Sequence, residues 1–237
     1  MARIVWDKPG THIYETGIRN CVLYVQDTDG KYQNGTAWNG IVSVTETSEG
    51  GDGTDFYADD IKYLTLYPPI DIGANIEAYT YPDEFLPCDG IITPIEGVTI
   101  GQQPRRPFAI CYKSTIGNDI LGSDYGYKLH IVYGCTVSPS EKAYQTISDS
   151  PEPLLFSWEA STMPVPVPGY RPTAFIVIDS TKVNPKDLGI IEDTLYGNES
   201  EDSHIMLPSE ISVVFTNGLL MDEDANYITI GGDRIRV

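Results

Sequence analysis

The sequence is poor in the residues on which most catalytic and metal sites depend. It has 3 histidines and 4 cysteines in 237 residues, and no two cysteines are spaced as Cys-x-x-Cys. A zinc site needs several nitrogen or sulfur ligands that converge on the ion, and no histidine has a partner at such a spacing. The sequence also contains no Gly-x-Ser-x-Gly elbow and no glycine-rich phosphate loop with its lysine. We therefore expect no catalytic residue, no bound metal and no cofactor.

Some chemistry stays open at this point. A Cys/His pair forms in space rather than in sequence, and 34 acidic residues leave room for a carboxylate pair that hydrolyses glycosides. The acidic run 222–226 offers oxygen ligands for calcium, or is a solvated hairpin tip. Asp27 opens a calcium-like loop, but Lys31, Tyr32 and Trp38 occupy its fifth, sixth and twelfth positions. Because Gly and Glu are required at the last two of these positions, the sequence excludes a calcium loop there.

Long apolar runs are also missing. No stretch approaches the roughly 20 residues that span a bilayer, and the first residues lack the basic and then apolar pattern of a signal peptide. We expect no membrane insertion and a protein that is made and used in the cytoplasm or released by lysis. Cys21, Cys88, Cys111 and Cys135 are then expected to be buried thiols, although their even number leaves disulfides open.

Basic residues are scarce. Fifteen lysines and arginines face 34 acidic residues, which gives a formal net charge of −19. Such a charge repels the phosphates of nucleic acids, so we expect no ordinary DNA binding. The charge is compatible with a conduit through which DNA slides without being held, and equally with an acidic surface that keeps a protein in solution.

The sequence does contain many short segments in which large β-forming residues alternate with polar ones. This period of two is typical of half-buried antiparallel strands. In residues 128–137 it places Leu129, Ile131, Tyr133, Cys135 and Val137 on one face. The pattern predicts a single, mainly β domain over residues 1–237, an antiparallel sandwich or barrel with long assembly loops. Its predicted strands are two short ones within 3–26, then 36–47, 61–67, 74–81, 108–113, 128–137, 154–159 and 173–179, with two or three more in 205–237, of which one is 211–215.

One helix is predicted over residues 184–196, on the flank of the sheets. Asn184 is a favourable N-cap and Pro185 suits the first helical position. The apolar residues Leu188, Ile191 and Leu195 are spaced three and four apart and form one stripe. Gly197 ends the helix as its C-terminal cap. A single helical turn is also expected around residues 84–86.

Two features are candidates for contacts between subunits. The segment 48–60 is rich in glycine and acidic residues, and we expect a mobile loop that becomes ordered against a neighbouring subunit. The alternative is an ordinary surface loop whose aromatic side chains fold back onto the sandwich. Arg105 and Arg106 form a basic pair that is expected to meet an acidic patch on a neighbour. The loop residues concerned are Asp52, Asp55, Phe56, Tyr57, Asp59 and Asp60.

Several stretches, taken in their order along the chain, resemble the major tail proteins of long-tailed bacteriophages. They are YADDIKYLTLYP, IEAYTYPDEFLPCDG, GVTIGQQPRRPFAICYKSTIGND, YGYKLHIVYG, SPSEKAYQTISDSPEP and FSWE. The resemblance covers residues 1–195 and weakens beyond them.

The resemblance implies a virion structural protein and not an enzyme. Such subunits form hexameric rings that stack into the tail tube, and a long loop between early strands carries contacts between rings. The expected partners are further copies of the chain, a tape measure protein inside the tube, a tail terminator and distal tail or baseplate proteins. Genomic DNA passes through without specific binding, and assembly takes place in the host cytoplasm. The alternatives are a carbohydrate-binding or immunoglobulin-like module on a particle surface, and a hydrolase with an unrecognised carboxylate pair.

Overall fold

The computed structural model describes residues 4–144, 146, 152–215, 229–230 and 233–234. The main body is built from strands β1 (Ile13–Val25), β2 (Thr36–Ala37), β3 (Ile41–Glu49), β6 (Asp71–Ala78), β9 (Phe108–Asn118), β10 (Gly122–Val137), β11 (Phe156–Ser161) and β12 (Phe175–Asp179). Three separate two-stranded pairs are β4 (Thr54–Ala58) with β5 (Ile61–Leu66), β7 (Ile92–Ile95) with β8 (Val98–Ile100), and β13 (Thr229–Ile230) with β14 (Asp233–Arg234). The helices are α1 (Pro185–Tyr196), α2 (Pro208–Phe215) and a 3-10 turn (Asp83–Phe85).

The architecture is an antiparallel sandwich whose two sheets share one strand. The first sheet has the order β2-β1-β9-β10-β12, and the second has the order β10-β11-β6-β3. Strand β10 belongs to both, because Lys128–Val132 pairs with β12 whereas Thr136 and Val137 pair with β11. The prediction of a mainly β, antiparallel sandwich with a flanking helix is confirmed.

Aromatic side chains fill the space between the two sheets. The rings of Trp38 and Phe85 have centroids 4.5 Å apart, and those of Phe85 and Trp158 are 5.1 Å apart in an edge-to-face arrangement. Phe85 comes from the 3-10 turn that the sequence predicted near this position, and its side chain is fully buried. Edge-to-face packing adds about 0.5–1.5 kcal/mol per pair to the burial of apolar area. The turn therefore inserts a central core residue.

The outer face of the first sheet is covered by the two helices. Leu188, Ile191 and Leu195 of α1 are buried against the sheet together with Ile211 of α2. The side chain of Asn184 accepts a hydrogen bond of 3.0 Å from the backbone N–H of Lys186, which caps the helix. The helix predicted over residues 184–196 is confirmed, including its buried stripe.

The middle of the first sheet is buried on both faces, which corrects the expectation of half-buried strands. In β9, Phe108 and Ile110 face the space between the sheets, whereas Ala109 and Cys111 face the helices. The strand lies between two apolar layers, so the alternation of its residues no longer separates core from solvent.

The assignment of five β10 residues to one face is wrong for its last two. Leu129, Ile131 and Tyr133 face the helices, but Cys135 and Val137 face the space between the sheets. The pairing with β9 shifts register between Val132 and Cys135, and Gly134 there has a φ of 61°. A bulge inserts one extra residue and exchanges the two faces beyond it.

Three predicted segments differ from the structure in their number of strands or in their type. The two short strands within 3–26 are one irregular strand, β1, and the strand 36–47 is divided into β2 and β3 before Gly40, whose φ is 78°. Residues 211–215, predicted as a strand, lie in helix α2. The carboxylate of Glu210 accepts a bond from the backbone N–H of Leu207, which caps this helix as the third residue of a capping box does.

All four cysteines are buried and free, which confirms the prediction of buried thiols and answers the question of disulfides. Within the described ranges, neither helix is long and apolar enough to cross a bilayer.

Candidate functional site

Residues 54–60 of the segment predicted to be a mobile loop form the first strand and the turn of a β-hairpin, β4–β5. Its strands pair Asp55 with Thr65 and Phe56 with Leu64. The two turn residues, Asp59 and Asp60, have φ values of 52° and 59°. Positive φ at both central positions gives the turn that matches strand twist best, and aspartate tolerates it better than most residues. The expectation that this segment becomes ordered only against a neighbouring subunit is therefore wrong for residues 54–60, which pair or turn within one chain.

The hairpin has one polar and one apolar face. On the polar face, Asp55 lies 2.7 Å from the Lys62 ammonium and accepts a 2.6 Å hydrogen bond from the Thr65 hydroxyl. The bond from Lys62, followed by that from Thr65, lowers the pKa of the Asp55 carboxyl. The opposite face carries the cross-strand pair Phe56 and Leu64. The polar interactions fix the register, and the register places the apolar residues together.

The apolar face of this hairpin lies open to solvent. Phe56 is 46% exposed, and Leu64 and Leu66 on the same face are also exposed. Further exposed large side chains lie elsewhere on the hairpin or next to it: Tyr57, Ile61, Tyr63, Tyr67 and Ile70. Among the described strands, β4 and β5 pair only with each other. The aromatic side chains are thus not folded back onto the sandwich. Exposed apolar side chains gathered on one face of a hairpin are typical of an interaction site.

The structure distributes the predicted loop residues along this hairpin. Asp52 precedes β4 and is exposed, whereas Asp55, Phe56 and Tyr57 lie in β4 and the two remaining aspartates form the turn. The residues that sequence reasoning missed are Leu64 and Leu66, because their segment was assigned to the sandwich. The sequence does contain a signal for this hairpin. Apolar and polar residues alternate on both sides of the Asp59–Asp60 pair, and two such segments joined by two turn residues are typical of a hairpin.

Arg105 and Arg106 lie next to the turns that contain Pro87 and Gly90. Both are half-buried, and the backbone N–H of Arg106 donates a 3.1 Å bond to the carbonyl of Pro87. The side chain of Arg105 packs beside Gly90. Its Nε is buried without a hydrogen-bond partner among the described residues.

A second hairpin, β7–β8, was not predicted. It pairs Ile92 with Ile100 and Ile95 with Val98, and all four side chains are exposed. Gly97 in the turn has a φ of 80°. A Glu-Gly pair between two segments rich in β-branched residues is the sequence signal for this hairpin.

The two sheets also present edges without a strand partner in the described part of the chain. Strand β12 pairs only with β10, and β3 pairs only with β6. On β12 the alternate residues Phe175 and Val177 are partly exposed. Unpaired backbone N–H and C=O groups along an edge are a template for a further strand.

A cleft with several polar side chains surrounds His130 between the two sheets. The His130 ring stacks on Tyr112 at 4.7 Å, its Nε2 is 2.9 Å from the Ser114 hydroxyl, and its Nδ1 is 3.5 Å from Glu46 Oε1. The Tyr112 hydroxyl donates a 2.7 Å bond to the same carboxylate. The contact with His130, the largest effect, and the hydrogen bond from Tyr112 lower the pKa of Glu46.

Ser114, His130 and Glu46 are arranged in the order of a hydrolase triad. The surroundings of Ser114 do not suit that chemistry. Ser114 lies inside β9, which pairs with β1 on one side and β10 on the other. The backbone amides beside it are therefore engaged in ladders, whereas acyl transfer needs free donors for an oxyanion. Among the described residues, no group of three or more His, Cys, Asp or Glu side chains is arranged to hold a metal. We interpret the cluster as a polar tie between the sheets.

The chain was compared with known proteins. No family model and no curated protein matches it. Among solved structures, it is similar to a chain in the cryo-EM structure of the anti-feeding prophage baseplate, 6-fold symmetrised, with a TM-score of 0.35 and 10% sequence identity over 77% of this chain and 100% of that chain. A likeness this distant does not assign a function, which has to be argued from the surfaces described above.

Proposed function

We propose that this chain is a structural subunit that assembles with copies of itself into the tail tube of a long-tailed bacteriophage or a related tail-like particle. The observation that carries the proposal is the β4–β5 hairpin, whose apolar face has no partner in the described chain. A second copy is the partner that a self-assembling subunit always has available. The resemblance of the sequence to major tail proteins supports the same conclusion.

Burial of the hairpin against a neighbour would contribute a useful free energy of association. Full burial of a Phe, Leu or Ile side chain contributes about 1.5–3 kcal/mol. Phe56, Leu64 and Leu66 lie on one face, so one contact buries all three. In the proposed tube this contact joins stacked rings.

The unpaired edges of β12 and β3 supply the second kind of contact, within a ring. A ring of identical subunits needs head-to-tail interfaces that close by rotation.

In this proposal the rings are hexameric, and the tube encloses a tape measure protein and later passes the genome. A tail terminator and distal tail or baseplate proteins close its two ends. The net charge of −19 opposes binding to DNA phosphates, which suits a conduit. The chain acts by assembly and not as an enzyme.

Negative-stain electron microscopy of the purified, concentrated protein tests the proposal. We expect rings or tubes with a central hole, either from the protein alone or after tail tips are added as nuclei. A protein that stays monomeric under both conditions, and that is retained by a soluble glycan, would support the carbohydrate-binding alternative instead.

A further inference from the structure

A groove separates the 3-10 turn from the β7–β8 hairpin. It has a volume of about 560 Å³, and its apolar lining includes Leu86, Pro87, Ile91 and Ile92. Leu86 is buried and Ile92 is 42% exposed, so the groove has an apolar floor and an open side. It is large enough for a few side chains of an extended segment.

Three acidic residues surround this apolar floor: Asp83, Glu84 and Glu96. All three are exposed, and no ion pair or hydrogen bond to their carboxylates is present in the described part of the chain. A segment that fits this groove combines apolar side chains for the floor with positive charges for the rim.

The chain itself contains such a segment. Residues 233–237 read Asp-Arg-Ile-Arg-Val, in which Arg234 and Arg236 alternate with Ile235 and Val237. Only two places in the sequence put two cations within three residues, and the other, Arg105–Arg106, is half-buried. In an extended strand, such alternation places apolar and charged side chains on opposite sides. Asp233–Arg234 is already a strand in the structure.

We propose that residues 233–237 of one copy dock in the groove between the 3-10 turn and the β7–β8 hairpin of a second copy. The inference rests on the proposed self-assembly, for which it supplies a specific contact. The two arginines of the segment are complementary in charge to the acidic residues of the groove, and in a self-assembling chain every copy offers both the segment and the groove.

A labelled peptide of residues 227–237 tests this contact by fluorescence anisotropy against the full chain, at concentrations where the chain is monomeric. We expect saturable binding that weakens with salt. The receptor variant E84K/E96K should bind about tenfold more weakly, because two attractive charges become repulsive. The matched receptor E199K/E201K has the same charge change at exposed positions outside the groove and should bind like the wild type.

A charge exchange sharpens the test. A peptide that carries R234E/R236E should bind the wild-type chain about tenfold more weakly and regain affinity for E84K/E96K. Absence of binding to any receptor, or equal binding to E84K/E96K and the wild type, would overturn the proposal. The proposal would also be overturned if the wild-type peptide bound a full chain that carries R234E/R236E but did not bind the wild-type chain. In that case the groove of the wild-type chain would already be filled by its own segment. These measurements use monomers, so their failure is distinct from a failure to form tubes.

Discussion

Strands β9 and β10 at the centre of the sandwich and the hairpin β4–β5 are both antiparallel pairs with alternating sequences, yet their surroundings are opposite. Phe108 and Ile131 in the central pair are fully buried, whereas Phe56 and Leu64 in the hairpin are exposed. The central pair has a second sheet on one side and two helices on the other. The comparison shows that the local sequence determines the strand, whereas the layers around it determine burial. The hairpin has the apolar face of a core strand without the covering layer.

The largest expected effect comes from a large-to-small change in the central layer. Replacement of Trp158 by alanine should reduce the free energy of unfolding by about 3–5 kcal/mol, because the side chain is fully buried among aromatic rings. Phe56→Ala in the hairpin should change it by less than about 0.5 kcal/mol. Urea unfolding of both variants measures the difference, and equal losses would show that the hairpin is part of the core.

The attachment of helix α1 to the central pair gives an intermediate effect. Lys113 on β9 lies 2.7 Å from Glu192 on α1, and its ammonium lies 4.4 Å from the centroid of the Tyr127 ring. Lys113→Met should lower the free energy of unfolding by about 1–3 kcal/mol, because it leaves a half-buried carboxylate without its cation. The double variant K113M/E192Q should recover part of this loss. No recovery in urea unfolding would contradict a direct coupling between the two residues.

The smallest effect concerns the polar tie between the sheets. The lowered pKa of Glu46 means that its ionised form stabilises the fold. This contribution is complete above the ordinary pKa of 4.5 and is lost as the pH falls through the lower pKa of the folded state. The variant E46Q should therefore lose less stability than the wild type between pH 6 and pH 3, two values that bracket the ordinary pKa. Parallel curves of unfolding free energy against pH would show that this carboxylate does not contribute.

Much of the fold follows from the sequence because its signals are local. The helix α1 was predicted from its cap at Asn184 and its apolar spacing, and the central strands from their alternation. The exchange of faces along β10 was not predicted, because the sequence around Gly134 does not indicate a bulge. Helix α2 was assigned as a strand because five apolar or small residues are too few to distinguish the two periods.

The sequence predicted where the candidate site lies, but it did not predict that the site is a hairpin. Glycines and aspartates around residues 48–60 indicated a loop, and Asp59–Asp60 is a weaker hairpin signal than Asn-Gly. The sequence also does not reveal that Leu64 and Leu66 lack a covering layer, since exposure depends on the neighbours of a strand and not on its own residues.

The most direct measurement is sedimentation velocity of the wild type and of F56S/L64S over a wide range of concentrations, with and without tail tips. The account predicts that the wild type assembles into large species and that F56S/L64S stays monomeric with an unchanged free energy of unfolding. The matched control Y170S/I190S replaces two exposed apolar residues outside the hairpins and should assemble like the wild type. Assembly of F56S/L64S at wild-type concentrations would contradict the claim that the open face of the β4–β5 hairpin joins the subunits.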